Sequence, residues 1–348
     1  MVNLSGGGTV FLNQSYSNQR ITGQQRYATE ISRRLLDGSE FAPIAPPSWW
    51  GRSTLRVWAW IQFILPMVSR KSRLLSMTSR APLFHPRQFL VIHDLFVLTN
   101  PEWFSRKYVL THALLLRMQL SRAAAVIAVS APVADQVRQM FDGPIVVAPN
   151  APSEIFAVPP TPTDEDVITS RGLAPGRYLL AVGSMDPRKN LGVLAEAYAE
   201  LSAHEREALP LVIVGGGSSV FRDASVAWPT GTINAGFVSD DDLRCLYRHS
   251  RSVVFVSLAE GFGLPLVEAV SAGARSLIIS DIPVFRWICG DGATYVDPRS
   301  PAGIAHALRE MDSLSVPSLA EFSRFSWEDS ARVIRSLFVP DDEETSGV

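Results

Sequence analysis

Cysteine is nearly absent from this sequence. Only Cys245 and Cys289 occur in 348 residues, too few for a disulfide framework or a cysteine-rich zinc site, so the chain reads as a protein of the reducing cytosol. A membrane-spanning run is also missing. The longest apolar stretch, Val57 to Val68, holds Gln62 and Pro66 and stops short of the roughly 18 to 20 residues that a span requires. No signal peptide is expected at the start. Lysine is scarce, with Lys71, Lys107 and Lys189 the lysines among 32 basic residues. Zinc-finger spacing, an RNA-binding aromatic signature and a basic helix are all lacking, so nucleic acid is not an expected partner. What is present is apolar content of 47% with 23 glycines and 24 prolines, which excludes a disordered, collagenous or low-complexity chain. The length favours two domains over one.

The formal net charge of -2 conceals an asymmetry. Residues 1–160 carry 16 Lys and Arg against 8 Asp and Glu, net +8, and the remainder carries 16 against 26, net -10. A basic first half suits an anionic partner, although a solvated basic surface with no partner satisfies the count equally well.

Short β-rich apolar runs alternate with segments of helical period, as in βαβ folds. Strands are expected at Thr9–Asn13, Phe89–His93, Ala124–Val129, Ile145–Ala148, Tyr178–Val182, Leu211–Val214, Ser252–Ser257 and Ser276–Ser280, with a helix from about Gln24 to Leu36. Continuous apolar runs of this kind suit parallel strands covered on both faces. Prolines 149, 152, 159, 160, 162 and 175 gather around the acidic run Asp164-Glu165-Asp166, which marks the linker. The expected division is 1–157 and 158–324, then a helix over 325–338 capped by Ser326, and an acidic, frayed tail over 339–348. No internal repeat is visible.

The richest stretch in chemistry is Ser252 to Ala274. An apolar strand ends there in Glu260, Gly261, Phe262 and Gly263, followed by Leu264 and Pro265 at the start of a helix. Glycines let a ligand approach the backbone closely, and the crevice beyond the carboxyl ends of parallel strands is where ligands bind, beside the free N–H groups of the next helix. Glu268, eight positions on, falls about one turn into that helix. Both carboxylates can therefore address one extended ligand, while an acid favoured by the helix dipole accounts for Glu268 alone just as well. In VGSMDPRKNL, Arg188 and Lys189 fall in a strand-to-helix loop with Asn190 placed to cap the following helix. A guanidinium fork and an ammonium there suit a diphosphate; an exposed basic helix start is the bland alternative. Ser184 is a weaker phosphate candidate. His93 and Asp94 end another expected strand, where a histidine simply satisfied at a strand end competes with a site residue. Gly23 opens a helix carrying Arg26 and Tyr27, and either a tight turn or close approach of a ligand explains it.

EGFGLPLVE, with Glu260 and Glu268, resembles the E-x7-E motif of the retaining glycosyltransferases of family 4. The resemblance extends to IHDLFVLTNPEWFS, VAPNA, VGSMDPRKNL and FSWEDSA, and so runs along nearly the whole chain. It implies an α/β GT-B fold of two doubly wound Rossmann-like domains facing a cleft, an acceptor domain first and a nucleotide-sugar domain second, with the terminal helix crossing back to the first. It further implies that Arg188 and Lys189 hold the donor diphosphate, with Ser184 nearby. Glu260, Gly261, Phe262, Gly263 and Leu264 would meet the donor sugar and Glu268 the ribose. His93 and Asp94 would lie by the reacting sugar and acceptor, and Gly23, Arg26 and Tyr27 on the acceptor side. Similarity to bacterial polysaccharide mannosyltransferases makes GDP-mannose the first expected donor, followed by UDP- and dTDP-sugars. The acceptor is expected to be a glycan or a lipid-diphosphate-linked oligosaccharide. Neither a metal nor a cofactor is expected. The sequence departs from the family at Gln25, where a second glycine is usual, and at Val256 and Ala259, where Pro and Tyr are frequent.

Arg52, Arg56, Arg70, Lys71 and Arg73 flank a run with Trp49, Trp50, Trp58, Trp60 and Phe63. That pattern suits a peripheral contact with an anionic membrane at the cytoplasmic face, against the competing reading of a core helix with surface arginines. Four motifs are decoys. Gly6-Gly7-Gly8 precedes a strand, and Gly215-Gly216-Gly217 lacks the rest of a dinucleotide fingerprint, which argues against a nicotinamide enzyme. Of the two acidic strings, Asp240-Asp241-Asp242 is assigned to a helix cap and Asp164-Glu165-Asp166 to the linker, with metal bound at neither. A catalytically silent nucleotide-sugar-binding subunit is the remaining rival.

Overall fold

Strands and helices alternate through a computed structural model that describes residues 8–17, 22–50, 53–215, 226–311 and 322–339. Gly6, Gly7, residues 18–21 before Gly23, Arg52, the side chain of Trp50, Gly216, Gly217 and the tail from Pro340 lie outside the described residues.

The described parts of Met1–Thr99, Arg106–Asn150 and Phe325–Val348 form one compact unit. Its strands are β1 (Val10–Asn13), β2 (Phe41–Ile44), β3 (Arg73–Ser76), β4 (Gln88–Ile92), β5 (Ala123–Ala128) and β6 (Ile145–Val147). They pair in parallel in the order β2-β1-β3-β4-β5-β6. The first helices are α1 (Gly23–Leu35) and α2 (Thr54–Ala59), the latter running through a π turn at Trp60–Ile64 into α3 (Leu65–Ser69). Then come α4 (Phe96–Thr99), α5 (Arg106–Leu120) and α6 (Ala131–Arg138).

The second unit, Asn100–Ser105 with Ala151–Arg324, repeats the plan. Strands β7 (Leu179–Val182), β8 (Leu211–Val214), β9 (Thr232–Gly236), β10 (Ser252–Phe255), β11 (Leu277–Ser280) and β12 (Thr294–Val296) lie parallel in the order β12-β11-β10-β7-β8-β9. Helices α7 (Asp164–Thr169), α8 (Leu191–Ala199), α9 (Ala203–Ala208), α10 (Asp240–His249), α11 (Leu264–Ser271), α12 (Pro283–Cys289) and α13 (Pro301–Arg309) accompany them. Strands β8, β10 and β11 are buried throughout, as expected of parallel strands covered on both faces. Leu194, Tyr198, Ile213, Val254 and Ile304 meet in this core.

A final helix, α14 (Trp327–Ser336), belongs to the first unit, where it packs on α1 and β6. Ser326 caps it by accepting the backbone N–H of Asp329 at 3.2 Å. Trp327, Ala331, Ile334 and Phe338 are buried, and the guanidinium of Arg73 on β3 donates to the Phe338 carbonyl at 2.9 Å.

The α/β class and the parallel sheets agree with the sequence. Strands β2, β3, β9 and β12 do not appear in the expectation drawn from it. Another difference concerns Asp164-Glu165-Asp166: these residues open α7 instead of lying in an irregular linker. Asp164 is buried and accepts from Arg244 at 2.9 and 3.0 Å and from Arg248 at 2.8 Å. At the other acidic string Ser239 is the residue that caps α10, and Asp240–Asp242 fill its first turn.

Candidate functional site

The second unit's chain runs from β7 out to β8 and β9, then returns to the other flank of β7 as β10. Loops leaving β7 and β10 therefore diverge, and a crevice opens at their carboxyl ends. Residues 187–189 in the first loop form one 3-10 turn. Asp186 caps it by accepting the Arg188 backbone N–H at 2.9 Å, and its buried carboxylate also takes the Arg188 guanidinium at 2.9 and 2.5 Å. A hydrogen bond of 2.7 Å from the Leu258 N–H to the Arg188 carbonyl fastens the two loops together.

Lys189 Nζ donates to Glu260 Oε1 at 2.6 Å, and Ser257 Oγ donates to the same oxygen at 2.8 Å. The Lys189 and Glu260 side chains are 14% and 9% exposed. Burial opposes ionisation of Glu260, but the Lys189 and Arg188 charges and the two hydrogen bonds overcome it and hold the carboxyl below the usual glutamate range. The pair is thus a true ion pair, assembled from residues 71 apart in sequence.

Asn190 differs from its expected part as a cap. It takes the left-handed conformation, φ 57°, and makes no side-chain cap. Its amide instead donates to the carbonyls of Val256 at 3.1 Å and Pro298 at 2.6 Å, tying three loops into one rim. Gly263 precedes α11 at φ 92°, and a Cβ there would lie 2.9 Å from the Phe285 ring, so both conformation and space call for glycine. Glu268 is buried on α11, Phe262 is buried with its ring 6.2 Å from that of Trp287, and Ser184 is half-buried. Val256 is absorbed into the core.

In the first unit, His93 and Asp94 follow β4 directly. His93 Nε2 lies 2.9 Å from the Met77 carbonyl, an acceptor only, so the neutral ring carries its proton on Nε2 and leaves Nδ1 unprotonated. Burial pushes the His93 pKa down to about 4 against the opposing pull of that hydrogen bond. Asp94 Oδ1 accepts the Phe96 N–H at 3.2 Å. Tyr27 stands edge-on to His93, ring centroids 5.2 Å apart. Tyr27, on α1 as expected, is wholly buried, and its hydroxyl donates to the Ala148 carbonyl at 3.0 Å. Behind it the Trp327 ring closes in at 5.8 Å. Arg26 is half-buried, and Gly23 is exposed with open space where a Cβ would stand, so no crowding there demands a glycine. Sequence reasoning missed Ser257, Asp186 and Trp327. Ser257, three residues before Glu260, and Asp186, two before Arg188, carried a local signal; Trp327 did not.

Residues 176–312, from the start of this sheet to the end of α13, match the family of glycosyl transferases group 1. Those residues are a glycosyl transferases group 1 domain. Over 374 aligned positions this glycosyltransferase is 28% identical to O-antigen chain mannosyltransferase B of Escherichia coli, covering 89% of the chain and 93% of that relative. A stretch of 100 positions is 34% identical to GDP-mannose:cellobiosyl-diphosphopolyprenol alpha-mannosyltransferase of Xanthomonas oryzae pv. oryzae, 26% of either protein. Anabaena HepE, solved in complex with UDP-glucose, superposes with TM-score 0.65 at 16% identity over 94% of each chain. The fold of this glycosyltransferase is GT-B, with the two parallel six-stranded sheets described above.

Proposed function

We propose that this glycosyltransferase is a retaining mannosyltransferase of cell-surface polysaccharide synthesis. It moves mannose from GDP-mannose to a glycan or a lipid-diphosphate-linked acceptor, at the cytoplasmic face of the membrane. The donor assignment is supported by the two mannosyltransferase relatives, one of which is named for GDP-mannose and a diphosphopolyprenol acceptor. The observation that carries the site is the buried 2.6 Å pair of Lys189 and Glu260 at the mouth of the β7–β10 crevice.

In this reading the donor diphosphate takes Lys189, with Arg188 already aimed by Asp186 and Ser184 at its edge. Glu260 turns to the sugar hydroxyls, the backbone of Gly261–Leu264 lines the sugar, and Glu268 binds the ribose. As the sugar–phosphate bond breaks, charge grows on the diphosphate, and two cations held in place stabilise that state more than the ground state. No metal is assigned a part. His93, neutral through the working range, is assigned a part in the transfer of the sugar, and Asp94 a part in holding the acceptor hydroxyl. A departing phosphate that guides the acceptor to the same face accounts for retention without a carboxylate nucleophile.

Lys189→Ala and Glu260→Ala are each expected to lower acceptor-dependent GDP release roughly 100-fold or more with the fold intact by circular dichroism. Near-normal turnover in both removes the assignment. A UDP-sugar donor is the second reading, favoured by the UDP-glucose bound to HepE. Thermal shift against GDP, UDP, dTDP and ADP separates the two, since the true base raises the melting temperature by mass action.

A further inference from the structure

Among the described residues no helix is long and apolar enough to cross a membrane, yet the first unit exposes large apolar side chains in quantity. Along α2, the π turn and α3, the side chains of Val57, Trp60, Ile61 and Leu65 pack inward with Leu74. Leu55, Phe63 and Met67 stand out at 75%, 69% and 66% exposure. The π turn matters here. Residues five apart point about 140° away from one another on an α-helix, but widening one turn brings Trp58 and Phe63 edge to face with ring centroids 6.3 Å apart. On α5, Leu110 and Leu114 form a second exposed stripe, one turn apart.

The two stripes flank one loop. Gln62 reaches the Ala81 carbonyl at 3.2 Å and accepts the Leu83 N–H at 3.0 Å, while Gln119 of α5 donates to that same Ala81 carbonyl at 2.8 Å. The loop presents Phe84, 59% exposed, beneath the Arg122 guanidinium at 4.9 Å. Charge on this surface has one sign. No Asp or Glu occurs between Glu40 and Asp94 or between Glu102 and Asp135, whereas Arg56, Arg70, Lys71, Lys107, Arg117 and Arg122 are exposed.

We infer that α5, Phe84 and the broken helix Thr54–Ser69 form one surface that seats on an anionic lipid bilayer. This deepens the membrane contact proposed above, from a single segment to a clasped pair. Aromatic and leucine side chains bordered by arginines and lysines meet both layers of such a bilayer, the acyl boundary and the anionic headgroups. A second copy of the chain fits poorly, because a two-fold contact would set this cationic face against itself. An exposed patch of this size needs a partner of some kind, and complementary charge selects the lipid.

The test is co-sedimentation of the full chain with vesicles of phosphatidylcholine alone and of phosphatidylcholine with one third phosphatidylglycerol. Binding is expected to the second kind and to weaken in high salt. Leu114→Glu on α5 and Phe63→Glu on the π turn should each reduce it roughly tenfold, as should the double change Arg117→Glu with Arg122→Glu, all with unaltered melting temperature. Equal binding to both vesicles overturns the inference, and so does wild-type binding by Leu114→Glu, which would confine the contact to residues 54–69. Dimerisation abolished by these same substitutions also overturns it. GDP release with a water-soluble acceptor is scored in parallel and should be unchanged in all of them, so a failed lipid surface is told apart from a failed assignment of the site.

Discussion

Lys189 and Glu260 neutralise one another with both side chains largely removed from solvent, so removing either one strands the other. Breaking such a pair from one side costs about 3 kcal/mol. Lys189→Met and Glu260→Gln should each lower stability to urea by about that amount, while the double variant recovers part of the loss because neither charge is then left alone. Additive losses in that cycle would mean the pair contributes no coupling to the fold. His93 calls for a different measurement. With a pKa of about 4 in the folded chain against about 6.5 when unfolded, the unfolded state binds more protons between those limits. Stability therefore rises with pH from about 4 to 6.5 and gains nothing further from this residue above that. His93→Asn should remove that part of the slope, and the pH profile of kcat/KM should show no acid limb near 6.5. A limb there would mean that the imidazole titrates as an exposed one.

The elements divide cleanly into those legible in the sequence and those that are not. Strands β4, β5, β7, β8, β10 and β11 are continuous apolar runs because they lie inside sheets covered on both faces. Strands β2, β9 and β12 are sheet edges or next to nothing beyond, and an edge tolerates the proline of FAPI and the polar residues of TINAG. Interior β3 hides for another reason. It opens on Arg73, whose guanidinium is satisfied by the carbonyls of Gly8 and Phe338, and nothing near residue 73 announces either partner. The candidate site shows the same split. Arg188, Lys189, Glu260 and Glu268 stand in recognisable strings, whereas Tyr27 is buried by Trp327, 300 positions away. Helix α7 carries the element-scale prediction. Burial works against the charge of Asp164, but Arg244, Thr161 and Arg248 prevail and hold its carboxyl well below the usual range. Its stabilising effect is present above about pH 4 and is lost as pH falls below that value. Asp164→Ala should cost about 3 kcal/mol at neutral pH by leaving buried Arg244 without its carboxylate, and the difference from wild type should shrink on acidification. An equal difference at every pH would show that the loss is one of packing.

At the scale of the whole molecule, an anionic donor is proposed to bind within residues 161–348, which carry net -10. The general field of that half repels it, so attraction has to come from the few cations placed at the crevice. One of them, Lys189, is engaged by Glu260. When a diphosphate claims the ammonium, the carboxylate loses the strongest influence that keeps it ionised against burial. Its proton affinity must then rise, and the enzyme draws protons from solution as it loads, increasingly so toward acid pH. Titration calorimetry of GDP-mannose in two buffers of different ionisation enthalpy should report this uptake as a difference in apparent heat, absent in Glu260→Gln. Donor affinity should accordingly strengthen as pH falls toward 5. In this enzyme the substrate would displace an internal counter-ion, and the solvent would supply the replacement as a hydrogen ion.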